Sequence, residues 1–215
     1  MSDTRQRILD TARRLFNDDG VHGVGVREIA RELGMSPGNL AYHFPTKDDL
    51  VAALVTELHE KNQAALFTAF PADFTLLTLY RTAIAAMHAM LPYRFVLLSY
   101  SHMVAASPAL RRLEQKLWTK RRARYDAMVA LLDAGGWVDG KKVRARVRWL
   151  YEQGEMIASH WLSAAALRFP GQADHAAILH YAKLGCALLE PHTTARGARQ
   201  MKKILSGAYD APPSP

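Results

Sequence analysis

An all-α fold is what this 215-residue chain predicts, and three observations predict it. Apolar residues recur three and four apart along nearly the whole length, and no segment sustains the two-residue alternation of a strand. Capping residues and glycine or proline stops punctuate that periodicity at helix-sized intervals. At 49% hydrophobic and 22% charged, the composition is that of a packed globular chain.

Taken in order, a first helix is expected after Thr4 as N-cap, burying Ile8, Ala12, Leu15 and Phe16 and broken by Gly20 and Gly23. A second, from about Val26, offers Ile29, Ala30 and Leu33 to the same core, and Gly34 ends it. After the turn Gly34-Met35-Ser36, Ser36 as N-cap and Pro37 at the first helical position start a short third helix held down by Leu40 and Phe44. Pro45 stops it, and Thr46 with Asp49 is a capping pair for a fourth helix through Leu50, Val51, Leu54 and Leu58. Beyond Pro71, helices are expected over Phe74 to Met90, Arg94 to Ala105, Pro108 to the Gly135-Gly136 stop, Lys141 to Phe169 before Pro170-Gly171, Asp174 to Glu190, and Thr193 to Ser206. The expected division is residues 1–49, residues 50–208, and a disordered tail over 209–215.

Several function classes are set aside by the same reading. No uninterrupted apolar run reaches the ~18 residues of a membrane helix, and Met1 to Gly20 carries charges throughout, so neither a spanning segment nor a signal peptide is expected and the location is cytoplasmic. Cys186 is the single cysteine, leaving no intrachain disulfide and no multi-thiolate zinc site. His180 lies six residues from Cys186, about 240° around a helix, and the nine histidines show no His-Glu-x-x-His spacing. No catalytic residue, metal or cofactor is therefore expected.

Net charge is +8, which suggests nucleic acid but speaks only to partners. Residues 1 to 50 hold seven Lys/Arg against eight Asp/Glu, so the excess lies elsewhere, mainly at Arg111 to Arg124 and Lys141 to Arg148. Motif must carry the argument. Two short helices joined by a three-residue turn have the layout of a helix-turn-helix DNA reader. With Leu40 and Phe44 buried, the remaining positions Pro37, Gly38, Asn39, Ala41, Tyr42 and His43 present a small, polar and aromatic face to a major groove. Ser36, Arg27 and Lys47 complete the set expected to touch DNA, with Arg5 also facing the backbone and Lys47 placed at a helix N-terminus that can grip a phosphate.

The run VREIARELGMSPGNLAYHFPTKDDL, Val26 to Leu50, resembles the N-terminal DNA-binding motif of the TetR family of bacterial transcriptional regulators, in which a leading helix precedes the motif, a run ending in Tyr-His-Phe forms the recognition helix and a Lys starts the next helix. Two departures stand out: Gly25 occupies a position where members often have Thr or Ser, and Ala41 one where many have an aromatic.

The resemblance implies an N-terminal three-helix DNA-binding domain joined to a helical regulatory and dimerisation domain. It further implies a homodimeric regulator, a repressor in this reading, that binds a palindromic operator and is released by a small, largely apolar or amphipathic effector; the alternative is control by a protein partner. Two recognition helices must sit roughly 34–36 Å apart, which a dimer supplies. Leu150, Gly154, Ile157, Trp161, Tyr181, Gly185 and Leu189, with Val147, Ile178 and Ala182, form seams suited to the dimer interface. Met87, Met90, Tyr93, Phe95, Tyr100, Met103 and Trp118, with His102, are the expected effector-lining residues. A stripe at Arg112, Lys116, Lys120 and Arg124 reads as a solvated face, or as an attraction for an anionic effector such as an acyl-coenzyme A or for flanking DNA.

Overall fold

The computed structural model describes residues 2–67, 73–169 and 174–210. Among them the helices are α1 (Ser2–Gly23), α2 (Val26–Glu32), α3 (Pro37–His43), α4 (Lys47–Phe67), α5 (Leu76–Met90), α6 (Arg94–Ala106), α7 (Pro108–Ala134), α8 (Gly140–Arg168), α9 (Asp174–Ala187) and α10 (Ala195–Leu205), with 3-10 turns at Leu91–Tyr93 and Glu190–His192. The one pairing of β type among these residues is a single bridge, Val138 to Thr193. The all-α expectation holds.

Boundaries shift where a cap was misassigned. Thr4 lies inside α1 and is not its cap, while Gly20, at φ 75 and ψ 153, breaks the helical path as expected before a last helical stretch to Gly23. The Thr75 and Thr78 side chains cap α5, which starts at Leu76 and not at Phe74. Asp139 caps α8 by accepting from the Lys141 and Lys142 N–H groups, so that helix begins at Gly140. Helix α9 ends at Ala187, since the chain turns through Glu190–His192, and Thr194 then caps α10. The breaks expected at Pro71 and Pro170-Gly171 lie outside the described residues, as do 211–215 of the tail. Tyr209 and Asp210 are described, and Asp210 is anchored: it accepts from Tyr80 Oη (2.8 Å) and from Lys183 Nζ.

The chain forms two compact units, residues 1–62 with 90–117, and residues 63–89 with 118–215. Helix α4 runs through residue 49, and α6 returns to pack on α1. In the first unit Ile8, Phe16, Ile29, Leu40, Phe44, Leu50 and Leu54 share one core with Tyr93, Phe95, Val96, Met103 and Leu110. Phe16 and Phe95 meet at 5.3 Å between ring centroids. A polar clamp borders this core. Asn17 Nδ2 donates to Pro92 O (2.7 Å) while its Oδ1 accepts from Phe95 N (3.0 Å). Tyr93 Oη accepts from Arg13 Nη1 (3.1 Å) and Lys61 Nζ (2.9 Å), and both cations also lie over the tyrosine ring. Burial pushes the Glu57 carboxyl up, but hydrogen bonds from Lys61 and Tyr93 and the charges of Lys61 and Arg13 outweigh it, leaving Glu57 below its ordinary range.

The second unit is built on the α8–α9 hairpin and α10. Trp137, Val138, Val143, Leu150, Trp161, Ile178, Tyr181, Met201 and Ile204 are buried in it. The 135–139 turn is closed by the chain at 192–197: Gly136 adopts φ 67, Thr194 Oγ1 donates to Gly136 O (2.7 Å), and Arg196 lies over the Trp137 ring at 3.9 Å. Residues Leu76–Ala106 are, by length and composition, apolar enough to cross a membrane. Arg81, Pro92 and Arg94 interrupt them; Leu76, Tyr80 and Met87 on α5 and Phe95, Val96 and Met103 on α6 are buried, while Leu98 is exposed.

Candidate nucleic-acid interface

Helices α2 and α3 are set by backbone closure at Gly34, whose φ of 64 a side chain with Cβ rarely adopts. The Leu33 N–H bonds Ile29 O and the Met35 N–H bonds Ala30 O, ending α2 within a turn. Ser36 then caps α3: its Oγ accepts from Asn39 N at 3.2 Å, with Pro37 at the first helical position. Leu40 (0% exposed) and Phe44 (2%) fasten α3 to the core. What remains outward is Ser36, Pro37, Gly38, Asn39, Ala41 and Tyr42, all exposed, with Tyr42 at 72% and no described atom within 4 Å of a Cβ built at Gly38. The structure thus brings the expected α3 residues together on one open face. A large aromatic left in water on a seven-residue helix has no packing reason to be there.

Around this face, His43 is half-buried and makes an edge contact with Tyr42. Arg27 is exposed on α2. Arg5 lies over the Phe44 ring, 4.8 Å from its centroid, which fixes its stem beside α3. Thr46 and Asp49 form the reciprocal cap of α4: Asp49 N donates to Thr46 Oγ1 (3.1 Å) and Thr46 N to Asp49 Oδ2 (3.0 Å). Lys47, the first residue of α4, is half-buried with its ammonium 5.9 Å from the Phe16 ring centroid. Burial lowers its pKa against the opposing influence of Asp48. A phosphate at this helix N-terminus would meet a partly desolvated cation and free backbone N–H groups together. Gly25, at the N-cap of α2, makes no side-chain cap bond, so the hydroxyl common at that position has no substitute here.

The residues expected around an effector divide between the units. Met90, Tyr93, Phe95, Tyr100 and Met103 belong to the first, where Tyr93, Phe95 and Met103 are core; Tyr100 donates to Glu114 (2.8 Å), and His102 meets His22 edge-on. Met87 and Trp118 belong to the second: Met87 is buried, whereas Trp118 is 40% exposed and packs edge-on against Tyr151. Of the expected dimer residues, Leu150, Trp161, Tyr181 and Leu189 are consumed in the protomer's own core, with Gly154, Ile157 and Gly185 half-buried. Arg112, Lys116 and Lys120 of the basic stripe are exposed; Arg124 turns inward, where desolvation lowers it to about 10. Cys186 is buried and its thiol is pushed up to about 12, which leaves it no nucleophilic character. The clamp of Asn17 and Tyr93 had no signal in the sequence, because its partners lie about 75 residues or more from α1.

The model of bacterial regulatory proteins of the tetR family matches residues 8–54, and the TetR model described as bacterial transcriptional repressor matches residues 58–201. The HTH-type transcriptional regulator UidR of Escherichia coli (strain K12) is 36% identical over 58 residues, 27% of this chain and 30% of that protein. The match therefore spans about a third of that relative. A TetR-family transcriptional regulator from Marinobacter aquaeolei VT8 superimposes with a TM-score of 0.80 at 20% identity, covering 97% of this chain and 99% of its own. A regulator from Saccharomonospora viridis, solved in complex with choline, does so with a TM-score of 0.61 at 20% identity over 90% of this chain and 98% of its own. With the helix-turn-helix geometry in place and family models matching at both ends, the chain belongs to the TetR family of bacterial regulatory proteins and is a DNA-binding transcriptional regulator, not an enzyme.

Proposed function

We propose that the protein is a cytoplasmic homodimeric repressor that reads a palindromic operator through α3 in the major groove and leaves it when a small effector binds the regulatory helices. The observation that carries this reading is the outward α3 face from Ser36 to Tyr42, capped by Ser36 and anchored by Leu40 and Phe44. Asn39 suits a base edge and the Ala41 methyl a thymine, while Tyr42, His43, Lys47, Arg27 and Arg5 suit phosphates.

The second copy is brought by a different face from the one the sequence seams suggested. On α8 Trp149 (61% exposed), Met156 (69%) and Leu167 (85%) stand in water. At 100° per residue they fall within roughly 20° of one another, about 100–140° around the helix from the buried Leu150 and Trp161. Leu184 on α9 is exposed as well. Such an apolar stripe supports self-association.

A small-molecule effector is supported in outline by the choline-bound structural relative. Residues buried in the first unit's core, Tyr93, Phe95 and Met103, act in this reading by packing, and the ligand is received in the second unit.

Selection of bound fragments from genomic DNA by the purified protein tests the whole proposal. Footprints of two inverted half-sites about 34–36 Å apart are expected, with affinity falling by roughly 10³–10⁵ between 50 and 200 mM salt. Enrichment of single, unpaired sites or a flat salt dependence would overturn it. Met156→Glu should give monomers by sedimentation and lose operator binding.

A further inference from the structure

Asp210 makes a contact that its own turn does not require. The bonds of that turn close on the end of α10: Gly207 N donates to Ile204 O, Ala208 N to Lys203 O and Asp210 N to Gly207 O. The carboxylate instead reaches two other helices. Its Oδ1 accepts from Tyr80 Oη of α5 at 2.8 Å, and its Oδ2 from Lys183 Nζ of α9 at 2.5 Å. Tyr80 is 0% exposed, while the Lys183 and Asp210 side chains are 22% and 29% exposed. The hydroxyl is thus the floor of a cradle and the carboxylate stands at its mouth. Gly207, at φ 84, brings the chain close over it, since a Cβ built there would lie 2.9 Å from Asp210 Oδ2 and 3.3 Å from Lys183 Nζ. His175 of α9 adds a favourable charge, with His88 Nε2 of α5 3.2 Å from its Nδ1, and the buried Cys186 thiol lies near Tyr80. Burial pushes the Asp210 carboxyl up, but the bonds from Lys183 and Tyr80 and the charges of Lys183 and His175 outweigh it and leave it below its ordinary range. Burial and the neighbouring Asp210 push the Tyr80 hydroxyl up, so it stays a donor.

We propose that this cradle is a binding site for a small monocarboxylate, and that Asp210 is its built-in occupant, a tail carboxylate that a free one displaces. Two donors from two helices each take a different oxygen of one group, the pattern that a carboxylate satisfies with both oxygens. Among the described residues one ammonium, Lys183, bonds that group, so a dianion such as sulfate would bring a second charge into a half-buried place without a bonded partner. Displacement is local. The turn after α10 keeps its own backbone bonds when the side chain leaves, and the mouth of the cradle is already open to water. An empty cradle would strand the buried Tyr80 hydroxyl, which a ligand carboxylate satisfies as Asp210 does. Any coupling of this site to DNA rests on the effector-released reading above; the site itself does not.

The probe is propionate, with sulfate at equal ionic strength as control, and Asp210→Ala empties the cradle. That variant should melt roughly 3–12 °C below the wild type, the loss of charge-assisted bonds in a chain of this size. Propionate should restore part of the difference, whereas sulfate should shift both proteins alike. In calorimetric titration Asp210→Ala should bind propionate at least roughly tenfold more tightly than the wild type, whose tail competes for the same donors. Adding Lys183→Met to Asp210→Ala should weaken that binding by roughly tenfold or more, and adding Tyr80→Phe by roughly two- to tenfold. No heat of propionate binding to Asp210→Ala, equal affinity for wild type and Asp210→Ala, or affinity indifferent to Lys183→Met would overturn the site, whatever the DNA does. Operator anisotropy in the same titration separates the two readings: propionate bound with DNA retained leaves the site standing and removes the effector role.

Discussion

Replacing Asn17 by Ala tests whether the α5–α6 elbow is held on the DNA-binding helices by side-chain hydrogen bonds or by apolar packing alone. The amide of Asn17 uses both ends, donating to Pro92 O at 2.7 Å and accepting from Phe95 N at 3.0 Å. Phe95 is 3% exposed and opens α6 one residue past its start, where its N–H has no helical acceptor. Truncation leaves the Phe95 N–H short of a partner at about 1–3 kcal/mol, while Pro92 O, being exposed, turns to water. For a chain of this size that is roughly 2–12 °C in Tm. The four tryptophans, Trp118, Trp137, Trp149 and Trp161, all lie in the second unit, which gives the assay its resolution. Urea unfolding followed by far-UV dichroism senses both units, and indole emission senses only the second. In Asn17→Ala the dichroism transition should move to lower urea by the full amount; emission should follow it only if the units unfold together. If neither transition shifts by more than about 0.5 kcal/mol, Phe16 and Phe95 hold the elbow unaided and the clamp reasoning is wrong.

Three further outcomes follow from the same geometry. Lys47→Ala should weaken operator binding across all sequences and reduce the slope of log affinity against log salt by about 0.9, the signature of one lost phosphate contact. Gly197→Ala should destabilise by more than about 3 kcal/mol in thermal unfolding, because its Cβ would lie 1.9 Å from the Trp137 carbonyl oxygen, a backbone atom with nowhere to go. Glu57, depressed below 4.5 in the fold, contributes stability that is present above about pH 4.5 and fades as the pH falls through its lowered value; Lys61, raised above 10.5, contributes below that pH and fades as the pH rises through its raised value. Glu57→Gln should therefore be less stable than the wild type near pH 7 and lose less on acidification, as read by urea midpoints at a series of pH values.

The recognition half was legible because its signals are local. Ser36-Pro37 sets the start of α3 within four residues, Gly34 ends α2, and the Leu40 and Phe44 spacing names the buried side, so what is left over is the reading face. At α5 the start moved from Phe74 to Leu76 because Thr75 and Thr78 form the cap pair there. What could not be read was anything requiring two distant segments to meet: Asn17 with Pro92, Tyr93 with Lys61, Gly197 with Trp137. The seam on α8 shows the same limit from another side. Periodicity located its apolar residues correctly, yet Leu150 and Trp161 on one face and Trp149 and Met156 on the other are equally apolar, and only the packed hairpin decides which pair remains in water.

A DNA-binding end with more acids than bases over residues 1–50 needs its charges placed, not counted. Asp10 pairs with Arg13, Asp18 and Glu32 with Arg14, and Glu28 with Arg31, while Asp49 is spent on the Thr46 cap. The α3 segment Pro37–His43 contains no Asp or Glu at all. Only the Arg14–Glu32 pair ties two helices, α1 and α2, together, the others lying within one helix, and a phosphate approaching α3 meets Arg5, Lys47 and the N-terminus of α4, where Asp48 and Asp49 also stand. The large positive excess behaves in the opposite way: Arg121, Arg122, Arg144 and Arg148 are each matched by Glu155, Asp126, Asp133 and Glu152. Those acids are already counted in the net +8, so the excess itself persists; within a Debye length of about 10 Å, the field that a phosphate meets at α3 is set by the few groups around it and not by that total.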